Sequence, residues 1–156
     1  MRNVFDSLWH NGLLYKLISN GVGKKFYQVI GEMYNFSKSA VQLNNEHTNC
    51  FTLKRGVKQG DSLRTTLFNY FINDLHEIFD DSCDPFILQR SKLASLSFAD
   101  DIIILSTSHH NLQNALKKLE DYCYKWKLTV NVKKTKVMTF QKSYSPTSQL
   151  YYRIFH

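Results

Sequence analysis

Two adjacent aspartates, Asp100 and Asp101, interrupt the otherwise apolar run SLSFADDIIILS at residues 95–106. Leu96, Phe98 and Ile102 to Leu105 favour burial, and successive strand side chains alternate between faces, so the doublet best fits the tight turn of a hairpin. A turn there sets both carboxylates at one rim. Two anions so close repel and raise each other's pKa unless a positive charge lies between them, which a divalent cation supplies. Hard oxygen ligands of this kind suit Mg²⁺, which takes carboxylates together with substrate phosphates. Two such ions about 3.5–4 Å apart can activate a 3′-hydroxyl and stabilise a pyrophosphate leaving group. Asp-Asp is also ordinary hairpin-turn chemistry facing solvent, and the doublet alone does not choose between the two readings.

The elements that must position this turn follow from periodicity. Leu13, Leu14, Leu17 and Ile18, then Phe26, Val29, Ile30 and Met33, predict a helix pair over residues 12–34, broken by Gly21 and Gly23. Ala40 to Leu43 and Phe51 to Leu53 alternate around a polar loop containing Asn44-Asn45, which predicts a hairpin. Gly56 and Gly60 bracket a basic connector, RGVKQG. Beyond it Leu63, Leu67, Tyr70, Phe71, Leu75, Ile78 and Phe79 predict one long amphipathic helix behind an Asp61 or Ser62 cap. Residues 86–105 read as strands, and Ser106 to Ser108 offer caps for a helix with Leu112, Ala115, Leu116, Leu119, Tyr122, Cys123 and Trp126 on one face. LTVNV and KVMTF predict two more strands joined at Lys133-Lys134-Thr135, and the tail after Ser143 has the composition of a loop.

Composition narrows the class. With 156 residues, 43% of them hydrophobic, the chain has the size and material of one globular domain. Its 20 Lys and Arg against 13 Asp and Glu give a net charge of +7, which favours polyanionic partners such as nucleic acid. Cys50, Cys83 and Cys123 are odd in number and widely spaced, so neither a disulfide framework nor a zinc site is indicated. Asp6 and His10 interrupt the opening segment where a signal peptide needs an apolar run, and no stretch of about 18 apolar residues occurs. The expectation is an intracellular chain of the nucleus or cytoplasm, neither secreted nor in a membrane.

Three motifs in order carry a resemblance. RGVKQGDSLRTTLFNYFINDL at 55–75, FADD at 98–101 and LTVNVKKTKVMTF at 128–140, preceded by FYQVIGEMYNFSKSAVQLNN, together resemble the palm of reverse transcriptases, especially those of non-LTR (LINE-type) retrotransposons. The resemblance covers nearly the whole chain. It implies an α+β polymerase palm, a ferredoxin-like antiparallel sheet with helices on one face, spanning residues 1–142 and followed by a loop-like tail at 143–156. It implies templated nucleotidyl transfer from dNTPs to a primer 3′-hydroxyl by two-metal catalysis, with an RNA template, a DNA primer and Mg²⁺. Asp100 and Asp101 map onto the metal-binding doublet, Asp100 being the surer ligand. Gln59 and Gly60 map onto the connector that touches incoming nucleotide and template, and Lys134 onto a basic residue near the leaving pyrophosphate. Without the resemblance, Gly60 reads as a turn former and Lys134 as a solvated lysine. Phe98 would lie beside the doublet where the primer end or sugar approaches, while composition makes it a core aromatic. Lys54, Arg55, Lys58 and Arg64 have the charge to track template phosphates or simply to face water.

The chain departs from the family at its start. The family's first catalytic motif is an aspartate, a few residues, then Ala-Phe-Asp; Val4, Phe5 and Asp6 match its end, and no aspartate precedes Asp6. The leading carboxylate would fall at or before Met1. Asp6 is several residues out of place to substitute for it, so these residues are expected to bind metal weakly and to be inactive alone. Most of the first palm strand, the fingers and the thumb are likewise expected to be absent, leaving the aspartate hairpin with an open edge. Arg64-Thr65 stands where many relatives have Ser-Pro. The alternatives to a polymerase palm are a non-catalytic nucleic-acid-binding remnant and a truncated reading frame without independent function.

Overall fold

The computed structural model describes residues 7–56, 62–79 and 83–140, which form a mixed chain of four α-helices and four two-stranded antiparallel ladders. The chain divides into two compact units, one ending at Ile72 and the other beginning at Asn73.

In the first unit, helices α1 (His10–Ser19) and α2 (Lys24–Asn35) form the predicted pair, with Gly21 turning the chain between them at φ +70°. Leu13 and Leu17 from α1 and Ile30 and Tyr34 from α2 are buried, together with Leu67, Phe68 and Phe71 of α3 (Arg64–Ile72). Of the four residues expected to form the apolar face of α2, Phe26 and Val29 are exposed and only Ile30 is fully buried. The packed face is instead Ile30, Gly31 and Tyr34, rotated towards α1. Lys16, an unusual core residue, is buried because its Nζ donates to the Phe71 carbonyl at 2.6 Å and lies 5.0 Å from the centre of the Phe71 ring.

The predicted hairpin is present with a different register. Strands β1 (Lys38–Ser39) and β4 (Phe51–Thr52) form an outer ladder, and β2 (Gln42–Leu43) and β3 (Glu46–His47) an inner one. Asn44 and Asn45 have φ of +48° and +64°, the pair of left-handed residues that a type I′ turn requires. A two-residue turn of this type joins immediate neighbours, so Leu43 pairs with Glu46 rather than with the segment starting at Phe51.

The expected long helix is shorter. α3 ends at Ile72, and Asn73–Ile78 tighten into a 3₁₀ segment. Asn73 and Asp74 are weak helix formers whose side chains compete for the backbone. The Asn73 carbonyl lies 2.6 Å from His76 Nδ1, and the Asp74 carboxylate accepts a 2.6 Å bond from the Tyr122 hydroxyl. Its expected cap, Asp61, lies outside the described residues.

In the second unit Leu75 and Phe79 pack with α4 (His109–Trp126), whose buried face is Ala115, Leu116, Leu119, Tyr122, Cys123 and Trp126, as its spacing predicts. Ser108 caps the helix by accepting from the Asn111 amide at 3.2 Å. Lys127, at φ +56°, closes it, with the Lys127 and Leu128 amides donating to Tyr124 and Cys123, a Schellman closure without glycine. Burial pushes the Cys123 thiol up to about 12, with the Glu120 carboxylate adding to the shift, so this cysteine is a packing residue. Strands β5 (Phe86–Leu88) and β6 (Ser91–Leu93) turn at Gln89, and β7 (Ser95–Phe98) and β8 (Asp101–Ile104) form the aspartate hairpin.

The two further strands predicted, residues 128–132 and 136–140, are not strands here. Alternation makes a segment compatible with a sheet, but a strand exists only where a neighbour supplies ladder partners, and among the described residues none pairs with either segment. The 142/143 boundary lies outside the described residues. Among those residues, no helix is long and apolar enough to cross a membrane.

Candidate functional site

The ladder of β7 and β8 runs through Ser95↔Ile104, Leu96↔Ile103, Ser97↔Ile102 and Phe98↔Asp101. Only Ala99 and Asp100 remain to turn the chain. Ala99 has φ of +50°, and a positive angle confined to the first turn residue is the pattern of a type II′ turn, where glycine is usual. The doublet therefore occupies the tip, Asp100 within the turn and half-buried, Asp101 at the first residue of β8 and exposed.

The two faces of this hairpin differ. Ile102 and Ile104 line a cleft of about 310 Å³ whose other apolar wall is Leu112, Leu116 and Leu119 of α4. Helix α4 and this face of the hairpin thus line one cleft, although the described strands form separate two-stranded ladders rather than the single sheet expected. Asp100 and Asp101 stand on the lining of the same cleft, and so do Val130, Asn131 and the run Lys134 to Met138.

Lys134 reaches the cleft because its turn is well built. The Asn131 carbonyl accepts from the Lys134 amide at 3.0 Å, from the Thr135 amide at 3.0 Å and from the Thr135 hydroxyl at 3.0 Å. One carbonyl thereby fixes the KKT corner. The outcome is a cleft with an apolar floor whose lining draws Asp100, Asp101, Lys134 and Lys136 from segments about thirty residues apart; Asp101 touches it at the edge, since strand alternation turns its carboxylate to the Phe98 and Ile103 face. Such a rim suits a ligand carrying both metal and phosphate: carboxylates face the cation and ammonium groups face phosphate oxygens.

The other face carries Leu96, Ile103 and Phe98, which are 49%, 55% and 85% exposed. Phe98 is therefore no core aromatic. It stands opposite Asp101 at the last pair before the turn.

Among the residues expected to act, Asp100, Asp101 and Lys134 share one cleft, with Phe98 adjacent in the ladder. Arg55 belongs to the first unit, exposed and bridged in antiparallel fashion to Trp9. Gln59, Gly60 and Lys58 lie outside the described residues. Sequence reasoning passed over Asn131, Thr135 and Lys136. Asn131 precedes a Lys-Lys-Thr corner, and an asparagine followed by such a turn was the available signal. Among the described residues no group of three or more His, Cys, Asp or Glu side chains that could hold a metal ion is found.

Comparison with known proteins agrees with the resemblance. The family described as reverse transcriptase (RNA-dependent DNA polymerase) matches residues 1–152. The chain is 27% identical over 135 residues to the Pol polyprotein of the type-1 retrotransposable element R2 of Popillia japonica, covering 86% of this chain and 22% of that protein. It is 30% identical over 147 residues to a probable RNA-directed DNA polymerase from transposon BS of Drosophila melanogaster, covering 86% of this chain and 15% of that protein. Against the RNA-directed DNA polymerase from mobile element jockey of Drosophila funebris it is 27% identical over 146 residues, covering 90% of this chain and 15% of the relative. The chain thus spans about a fifth or less of the length of these curated relatives. With the aspartate hairpin, the lysine corner and a family match along almost its entire length, this chain belongs to the reverse transcriptase (RNA-dependent DNA polymerase) family, as a domain related to the polymerases of non-LTR elements.

Proposed function

We propose that residues 1–142 are a reverse transcriptase palm in which Asp100 and Asp101 hold Mg²⁺ at the tip of the β7–β8 hairpin, with 143–156 a loop-like tail. The observation that carries this reading is the cleft that draws Asp100, Asp101 and Lys134 into one lining. Family membership implies use of a divalent metal and of a nucleic-acid template and primer. When bound, the metal activates a primer 3′-hydroxyl and offsets charge on the leaving pyrophosphate.

The chain's own residues then have distinct tasks. Asp100 and Asp101 orient the cation and set where the reacting oxygens stand. Lys134 neutralises phosphate oxygens of the incoming dNTP as pyrophosphate leaves. Phe98, exposed beside Asp101, packs on the sugar of the primer end. Gln59 and Gly60 contact the incoming nucleotide and template, and Arg55 contacts template phosphates. A basic, template-using chain of this kind works in the nucleus or cytoplasm.

Mn²⁺ binding followed by electron paramagnetic resonance, with fluorescence anisotropy of an RNA–DNA hybrid, tests the reading. Asp100→Asn and Asp101→Asn are expected each to weaken Mn²⁺ binding at least several-fold while leaving hybrid affinity in metal-free buffer unchanged. Metal-independent, salt-sensitive binding unaffected by both substitutions would instead favour a nucleic-acid-binding remnant. Unchanged Mn²⁺ binding in both Asp100→Asn and Asp101→Asn would overturn the reading of the doublet as metal ligands.

A further inference from the structure

His10 is a buried histidine, only 6% exposed, in the unit that ends at Ile72. It is the first residue of α1, its ring stacks on Tyr34 of α2 with centroids 4.1 Å apart and planes 22° apart, and its Nε2 lies 2.7 Å from the Gly56 carbonyl. A carbonyl can only accept, so Nε2 carries the proton and donates. One imidazole thus ties together two helices and the first residues of the glycine-bracketed connector.

The tie is reinforced on both sides. The Gly56 amide donates to the Leu8 carbonyl at 2.9 Å, and Trp9 and Arg55 form an antiparallel bridge. Leu8 to His10 therefore runs against Arg55–Gly56 as a miniature ladder, with the His10 side chain closing its open end. Gly56 has φ of +89°, a conformation that side-chain-bearing residues resist, so the path of the chain at this point depends on glycine. Arg55, held one residue before the His10 bond, is exposed.

We infer that His10 is a positioning residue: by holding the Gly56 carbonyl against the stacked start of α1, it sets the direction in which Arg55 is presented to template phosphates. The inference rests on the reading of Arg55 given under Proposed function. A histidine suits the role because it combines a flat face for Tyr34 with a directed N–H for Gly56. Phenylalanine keeps only the face, and glutamine keeps only the donor.

The test uses the full chain, with amide hydrogen exchange at Gly56 and binding of a fluorescein-labelled RNA–DNA hybrid at several salt concentrations. Arg55→Ala is expected to weaken binding and to reduce the salt slope by about one. His10→Phe is expected to speed Gly56 exchange about tenfold, because opening the Gly56 amide from the Leu8 carbonyl no longer has to break the His10 bond to the Gly56 carbonyl as well, and to weaken binding in wild-type background but not in the Arg55→Ala background. His10→Gln is expected to restore both readouts in large part. Gly56→Ala, which disturbs the same path from the other side, is expected to behave like His10→Phe; helix content by circular dichroism separates these effects from failure to fold. Unchanged Gly56 exchange in His10→Phe, or full additivity of His10→Phe with Arg55→Ala in binding, would overturn the positioning role. Arg55→Ala without effect on a wild-type chain that binds would overturn the reading of Arg55 itself and the positioning role with it, while Gly56 exchange would still report whether His10 holds the strand.

Discussion

Phe98 and Asp101 face one another across the last pair of the aspartate hairpin, so that an 85% exposed aromatic and an exposed carboxylate are held side by side at the mouth of the turn. Their spacing depends on Ala99, the one residue of the turn with positive φ. The left-handed region costs an L-residue roughly 1–2 kcal/mol, and glycine loses roughly 0.5–1 kcal/mol more than alanine on ordering. Ala99→Gly is therefore expected to leave stability unchanged or raise it by up to about 1.5 kcal/mol. Ala99→Val, with a branched Cβ in the same region, is expected to cost about 1–3 kcal/mol. Urea unfolding of the two variants checks the turn geometry; a valine variant as stable as wild type would contradict it.

Gly12 gives a steric prediction. A Cβ there would stand 2.6 Å from Trp9 Cε3 and 3.2 Å from Phe71 Cε2. Alanine gains about 1 kcal/mol of helix propensity over glycine, whereas overpacking a core typically costs about 1–3 kcal/mol. The clash is with rigid rings, so the steric effect should win, and Gly12→Ala is expected to lower unfolding free energy by about 1 kcal/mol. An unchanged or raised denaturation midpoint would show that the rings yield.

The bond from Tyr122 to Asp74 joins α4 to the 3₁₀ segment, and burial together with that carboxylate raises the phenol's pKa, so it stays protonated as the donor. Tyr122→Phe keeps the ring and removes the bond to a charged acceptor, an expected loss of about 1.5–3 kcal/mol. Combined with Asp74→Ala the losses should fall short of additive, because both remove the same interaction. Full additivity in a double-mutant cycle would mean that the pair contributes nothing to stability.

His10 predicts a pH dependence. Burial lowers its pKa below the ordinary 6.5, and the bond to the Gly56 carbonyl opposes that shift only in part. The unfolded chain then binds a proton that the folded chain refuses. The folded state therefore has its full advantage above pH of about 6.5 and loses it as pH falls towards the depressed folded value, with a slope of at most about 1.4 kcal/mol per pH unit. Unfolding free energies between about pH 7 and about pH 5 should fall for wild type and fall less for His10→Phe, which has nothing to protonate there. Parallel profiles for the two proteins would remove His10 as the source.

Much of this molecule was legible from neighbours in sequence. Spacing along α4 named its buried face, Ser108 named its cap, and Asn44-Asn45 named a turn, because helix faces, caps and two-residue turns are governed by residues within a few positions of one another. The aspartate hairpin was legible for the same reason, as two apolar runs around a polar pair. The length of α3 was not: its hydrophobic period continues past Ile72, but Asn73 and Asp74 make other bonds, one of them to Tyr122, 48 positions away.

That two carboxylates stand side by side follows from covalent adjacency alone, and the apolar runs on either side of them mark the turn. Packing across the chain brings Asp100 and Asp101 into one cleft lining with Lys134 and leaves Phe98 exposed rather than part of the core. It also decided that His10 reaches Gly56 across 46 positions and that 128–140 form no ladder among the described residues. Each of these depends on which distant segment supplies a partner, a wall or a carbonyl. Such choices rest on the free energy of the packed whole, to which no short window of residues is a guide.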